Sequence, residues 1–188
     1  LFATRDLGFV PEGMLESLRG ATPPMAWGAK DAQYPLERLL DAALLAAQRG
    51  GDTARVLALA NESHPGFRYW AAMGAAARPD LSATWKPMLE KLLSDPSPSV
   101  RVAAADALAR VLPSEAGKAR ETLLAAVSLK THGLPATLEA LNALDALGPV
   151  NRDETARLKK GLAGEDKVSP RLRSYTERLM ESLAEKNK

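Results

Sequence analysis

Few side chains in this sequence combine a reactive type with a useful spacing. His64 sits before Pro65 and titrates near neutral pH, so it could transfer a proton. Its place in the turn His64–Pro65–Gly66 points instead to capping. His132 is the only other histidine, and no acidic cluster has metal-ligand spacing, so no metal site is expected. The absence of cysteine removes disulfides, thiolate metal sites and thiol nucleophiles together. Tyr69, Trp70 and Trp85 have faces that could stack a base or a sugar, although at least one of Tyr69 and Trp70 is expected to pack between elements. Arg68, Arg101 and Arg173 recur at matching positions. Such a ladder could bind an anionic partner, and its structural alternative is pairing with acids of neighbouring helices. No catalytic residue and no cofactor is expected.

The element that must position these groups is best formed at Asp95–Leu112, DPSPSVRVAAADALARVL. Asp95 can accept from free backbone N–H groups at a turn or helix start. Pro96 and Pro98 stop helix from running through, and Ser97 or Ser99 can cap a helix that ends before Pro113. Val100, Ala104, Ala107, Leu108 and Val111 form one apolar stripe, and Val102, Ala105, Ala109 and Leu112 a second. Two apolar faces describe a helix covered on both sides, as in stacked layers. Alanine lets backbones approach closely at little cost in helix propensity. Asp106 and Arg110 form an i, i+4 pair on the remaining polar side.

Around it the chain reads as helices of similar length. They are Pro35 to about Arg49, Asp52 or Thr53 to Glu62, Phe67–Ala77, Ser82–Leu93, Glu115 to about Lys130, Ala136–Leu147, Asp153 to about Leu162, and Ser169 to about Ala184. No window alternates like a half-buried strand. The copies repeat. Arg68 aligns with Arg101 at an offset of 33, Asn142 with Asp106 at 36, and Pro170 and Arg173 with Pro98 and Arg101 at 72. Residues 1–33 differ, broken by Gly8, Pro11, Gly13, Gly20, Pro23, Pro24 and Gly28 yet apolar at Phe2, Leu7, Phe9, Met25 and Trp27. This segment is expected to be an irregular arm lying against the repeats or a further domain. The chain starts at Leu1 inside a sensible sequence, which suggests a fragment or a processed form.

Composition agrees with a scaffold. The 188 residues carry 25 Lys and Arg against 23 Asp and Glu, with a local basic excess of 10 to 7 over residues 151–188. No strong nucleic-acid or membrane field follows. The basic side chains of the last helix, Arg171, Arg173 and Arg178, are diluted by Glu177, Glu181 and Glu185. No apolar run reaches the roughly 18–20 residues of a membrane span, and the opening residues do not read as a signal peptide.

The stretch LLSDPSPSVRVAAADALARV resembles the HEAT repeat: Asp-Pro before the second helix, a Val-Arg pair at its start, then an Ala-rich body. The fold expected is all-α, a HEAT-like α-α superhelix over residues 34–188 with about four helix pairs, preceded by the 1–33 arm. A narrower resemblance lies in the order RDLGFVPEGML, TPPMAWGAKDAQYPLERLLDAA, HPGFRYWAAMG, DPSPSVRVAAADAL, LEALNALDALG, which is similar to the C-terminal extensions of certain bacterial sulfatases. It implies a non-catalytic tail whose partner is its own upstream sulfatase-type domain or another protein, in an exported or periplasmic setting. The sulfatase nucleophile, a Cys or Ser two residues before Pro-x-Arg, is not matched. Ser94 and Pro96 begin the motif, but Pro98 stands where Arg is required. The candidate interface residues are Phe2, Leu7, Phe9, Trp27, Arg68, Tyr69, Trp70, Arg101 and Arg173. A free-standing HEAT-like protein-binding scaffold is the alternative. A HEAT-like DNA glycosylase is disfavoured, because duplex binding needs clustered Lys and Arg.

Overall fold

The structure is a computed structural model that describes Ala26, residues 35–48, residues 50–163 and residues 170–185. Phe2, Leu7, Phe9 and Trp27 lie outside the described residues, as does the expected 1–33 arm apart from Ala26. Among the described residues there is no strand. The helices are α1 (Leu36–Ala47), α2 (Thr53–Leu59), α3 (Pro65–Ala76), α4 (Ser82–Leu92), α5 (Pro98–Val111), α6 (Ala116–Ala126), α7 (Leu129–Leu147), α8 (Arg152–Leu162) and α9 (Pro170–Glu185).

They stack in two layers. One layer runs α1, α3, α5, α7, α9, each helix packing on the next, while α2, α4 and α6 pair with α3, α5 and α7 as the first helices of their hairpins. This is the expected HEAT-like arrangement of helix pairs, entered through α1, which already belongs to the second-helix layer. Central α5 touches α3, α4, α6 and α7. All of its residues except Arg101, Asp106 and Arg110 are buried. The two alanine-lined stripes are thus both covered, and Arg110 Nε meets Asp106 Oδ1 at 2.9 Å on the polar side as the spacing implies.

Small side chains set the layer spacing. Ala71, Ala72, Gly74 and Ala75 of α3 and Ala104, Ala105 and Ala107 of α5 all lie in the core, filled out by Trp85, Leu89, Leu108, Leu123, Leu141 and Leu144. Where α8 meets the end of α6 the backbones approach closely, because a Cβ on Gly161 would run into the Val127 carbonyl.

Two boundaries differ from the sequence expectation, and the gap before Ala136 is kept as a kink. The helix expected over Glu115 to about Lys130 ends at Ala126. Ser128 then takes an extended conformation, accepts from Thr131 N–H at 3.3 Å and starts a new turn. Gly133, at φ 73°, breaks α7 before Pro135, so α7 is a one-turn segment joined to the expected Ala136–Leu147 helix. The capping residue of α8 is Asn151, which forms a reciprocal capping box with Glu154. On α1 the buried face is Leu39, Ala42, Leu45 and Ala46. Leu44 is 60% exposed, because only α3 covers this helix on its layer.

A buried arginine closes the first turn of the stack. Arg78, only 4% exposed, points Nη1 at the carbonyls of Ala46 (3.1 Å) and Gly74 (2.7 Å), and Nη2 at those of Leu45 (2.8 Å) and Gln48. It therefore fills the orphan carbonyls at the C-terminal ends of α1 and α3, where the helix dipoles favour a cation. Its own carbonyl accepts from Trp85 Nε1 at 2.9 Å. Arg78→Met should cost about 3–5 kcal/mol in urea unfolding, since it strips donors from several buried acceptors at once. An unchanged midpoint would mean that water can satisfy those helix ends.

Candidate functional site

The arginine ladder resolves into two different situations. Arg68 opens α3 and spans two repeats. Its Nη1 donates to the carbonyls of Glu62 (2.9 Å) and Ser63 (2.6 Å) in the loop before its own helix. Its Nε and Nη2 reach Asp95 Oδ2 (2.6 Å) and Oδ1 (2.9 Å) in the next repeat, a bidentate pair largely out of water. Asp95 Oδ1 also accepts from Ser97 N–H at 2.8 Å, so the same carboxylate shapes the turn that starts α5. Ser97 is the residue before α5, with no side-chain capping bond. Arg68 is thus an internal tie between repeats.

Arg101 repeats the inner half of that pattern, its Nη1 donating to the carbonyls of Asp95 (2.6 Å) and Pro96 (3.1 Å). It lines an open pocket of about 340 Å³ with Leu93, Glu121, Thr122, Ala125, Ala126 and His132. Arg173 falls on α9, and its side chain lies outside the described residues.

His64 is the N-cap of α3, and its Nδ1 accepts from Gly66 N–H at 3.1 Å, as the turn suggested. Burial first, then the charges of Arg68 and Arg38, hold its pKa below the ordinary 6.5. Tyr69 and Trp70 meet edge to face at 5.3 Å. Trp70 packs on Leu39, Ala42 and Phe67, while Tyr69 lines a groove of about 240 Å³ along the second-helix layer with Met73, Val102, Asp106, Arg110 and Asn142. Trp85 is fully buried and cannot stack on a ligand. The ladder thus brings Arg68 and Arg101 to one rim of the stack, whereas Tyr69 also opens onto the second-helix face.

Three features were missed in the sequence. Arg78 carries no positional signal, since its acceptors lie 30 or more residues away in the chain except for Gly74. The groove needs α3, α5 and α7 side by side. The pairing of Arg120 with Glu154 (2.6 and 3.0 Å) and with the Pro149 carbonyl (2.5 Å) ties α6 to the start of α8 and keeps the Glu154 carboxyl below its usual range. The capping-box spacing Asn151-x-x-Glu154 could have revealed the last of these.

Among the described residues no group of three or more His, Cys, Asp or Glu is placed to hold a metal ion, and no helix is long and apolar enough to cross a membrane. Residues 53–133 match the family of HEAT repeats, from α2 to the kink in α7. No curated protein and no solved structure matches the chain. HEAT repeats are a generally non-catalytic fold that serves as a scaffold for protein interaction, and residues 53–133 share the repeat arrangement.

Two measurements check the site. In a double-mutant cycle with Arg68→Gln and Asp95→Asn, the pair should show a coupling of about 1–3 kcal/mol, because both single changes break the same desolvated bond. Additive losses would mean the pair does not tie the repeats. For His64, the neutral imidazole is the capping form. Its contribution is therefore complete above the ordinary pKa of 6.5 and is lost as pH falls through the lowered folded value. His64→Asn keeps an acceptor that does not titrate, so its melting temperature should fall less between pH 7.5 and pH 5 than that of the parent. An identical acid limb would remove His64 from the account.

Proposed function

We infer that this chain is a non-catalytic HEAT-like module that binds protein, and more narrowly that it is the C-terminal part of a sulfatase-type protein docked on its own catalytic domain. The observation that carries the binding role is the groove on the second-helix layer. Tyr69, Met73, Val102 and Ala103 provide apolar contact area there, with Asp106, Arg110, Glu139 and Asn142 interspersed, the mixture an interface uses for contact and orientation. The near-balanced charge, 25 basic against 23 acidic residues, favours a protein over a nucleic acid as occupant.

The narrower reading is supported by the order of segments from RDLGFVPEGML to LEALNALDALG, which is similar to sulfatase C-terminal extensions. Leu40 and Leu44 are exposed on α1, directly after the 1–33 segment, and offer apolar contacts to that arm or to a neighbouring domain. In this proposal the chain divides into an arm, 1–33, and a repeat body, 34–188. Phe2, Leu7, Phe9 and Trp27 of the arm and Tyr69 of the body contribute the contacts. The alternative is a free-standing scaffold with an unrelated protein partner.

The test has two arms. The natural polypeptide should carry an upstream Cys or Ser two residues before Pro-x-Arg. The separately expressed catalytic domain should bind the 188-residue chain in calorimetry, at least tenfold more weakly after Met73→Lys or Ala103→Lys with the circular dichroism spectrum retained. A parent polypeptide without that motif ends the sulfatase reading. Binding that ignores both groove variants ends the assignment of the groove.

A further inference from the structure

The second and third repeats meet much as the first two do, with one group missing. At the earlier junction the outer donors of Arg68 are taken by Asp95. Arg101 holds the corresponding place one repeat on, with its inner nitrogen on the carbonyls of Asp95 and Pro96 as Arg68 is on Glu62 and Ser63. The residues 36 and 37 positions after Asp95 are Thr131 and His132, so no carboxylate enters from the next loop. Among the described residues Arg101 has no ion-pair partner, and its Nε and Nη2 make no hydrogen bond. Arg101 lines the open pocket of about 340 Å³.

The pocket walls suit one kind of group. Leu93, Ala125 and Ala126 provide an apolar lining for a short aliphatic stem, and Arg101 stands as the donor for its head, with His132 beside it. Glu121 also lines the pocket, but its two oxygens are engaged by Arg157 at 3.1 and 2.9 Å, which offsets its repulsion of an incoming anion. Burial, then the Arg101 charge, lowers the pKa of His132, against an opposing hydrogen bond to the Thr131 backbone.

We propose that the Arg101–His132 pocket is a carboxylate-binding site, in which a partner's Asp or Glu side chain takes the place that Asp95 fills for Arg68. The carboxylate forms a bidentate pair with Nε and Nη2 of Arg101, and its stem lies on Leu93, Ala125 and Ala126. The proposal deepens the protein-binding reading by stating the partner's chemistry. A small carboxylate reads the site with no partner present, so the two can fail separately.

The experiment is a titration of the full 188-residue chain with sodium acetate, against sodium chloride at matched ionic strength, following the backbone amide resonances of Leu93, Ala125 and Ala126 by NMR. A saturable acetate-specific shift is expected, reduced at least fivefold in Arg101→Lys, which keeps the charge but loses the fork. The second variant, His132→Asp, supplies the missing carboxylate from within. It should raise the melting temperature by several degrees and abolish the acetate response. Equal responses to acetate and chloride would overturn the proposal, as would a His132→Asp chain no more stable than its parent that still responds to acetate. Saturation by inorganic phosphate at lower concentration than acetate would overturn the assignment to a carboxylate.

Discussion

The stack depends on one shared carboxylate. Asp95 Oδ1 accepts from Ser97 N–H and from the guanidinium of Arg68, while Oδ2 accepts from Arg68 Nε. The first bond bends the chain so that Pro98 can open α5. The others hold α3 beside it. Because Asp95 is only 7% exposed, its charge would be costly without that partner, and the partner lies 27 residues earlier. Local turn geometry and repeat-to-repeat register are therefore set by the same atoms. A helix start that is also an interface contact cannot slip by a residue without losing both.

Everything beyond that tie is close packing of small residues. Alanines on α3 and α5 bring the second-helix layer together, and larger side chains from the first-helix layer, Trp85, Leu89 and Leu123 among them, fill the space behind. Outside, the first helices are linked from repeat to repeat by Lys118 with Glu90 and Arg157 with Glu121. These pairs are exposed, and such contacts orient helices more than they stabilise them. The architecture leaves two kinds of surface open: the groove along the second-helix layer, and the rim where the arginines begin their helices.

The ladder shows how repetition and function separate. Arg68 and Arg101 have the same sequence context and the same inner contacts. They differ because Asp95 follows one and His132 the other. The expectation that ladder arginines pair with acids of neighbouring elements holds for Arg68. For Arg101 the corresponding acid is absent, and the residue lines a pocket.

Much of the fold was legible in the residues themselves. Pro and Gly positions bound the helices, the period of 33 to 36 residues announced stacked pairs, and Ala-rich double stripes announced burial on two sides. His64 as a capping residue and the Asp106–Arg110 pair could also be read from spacing, because both act within one turn of helix. What the sequence left open is whatever joins distant segments. That includes the burial of Arg78 against the ends of α1 and α3, the burial of Trp85 against the Arg78 carbonyl, the rotation of α1 that leaves Leu44 exposed, and the split of the ladder into a tied and an open arginine. Local propensity depends on neighbours three or four residues away and is written in the chain. Which acceptor meets a guanidinium 30 residues later depends on the distance between layers, which exists only once the helices have packed.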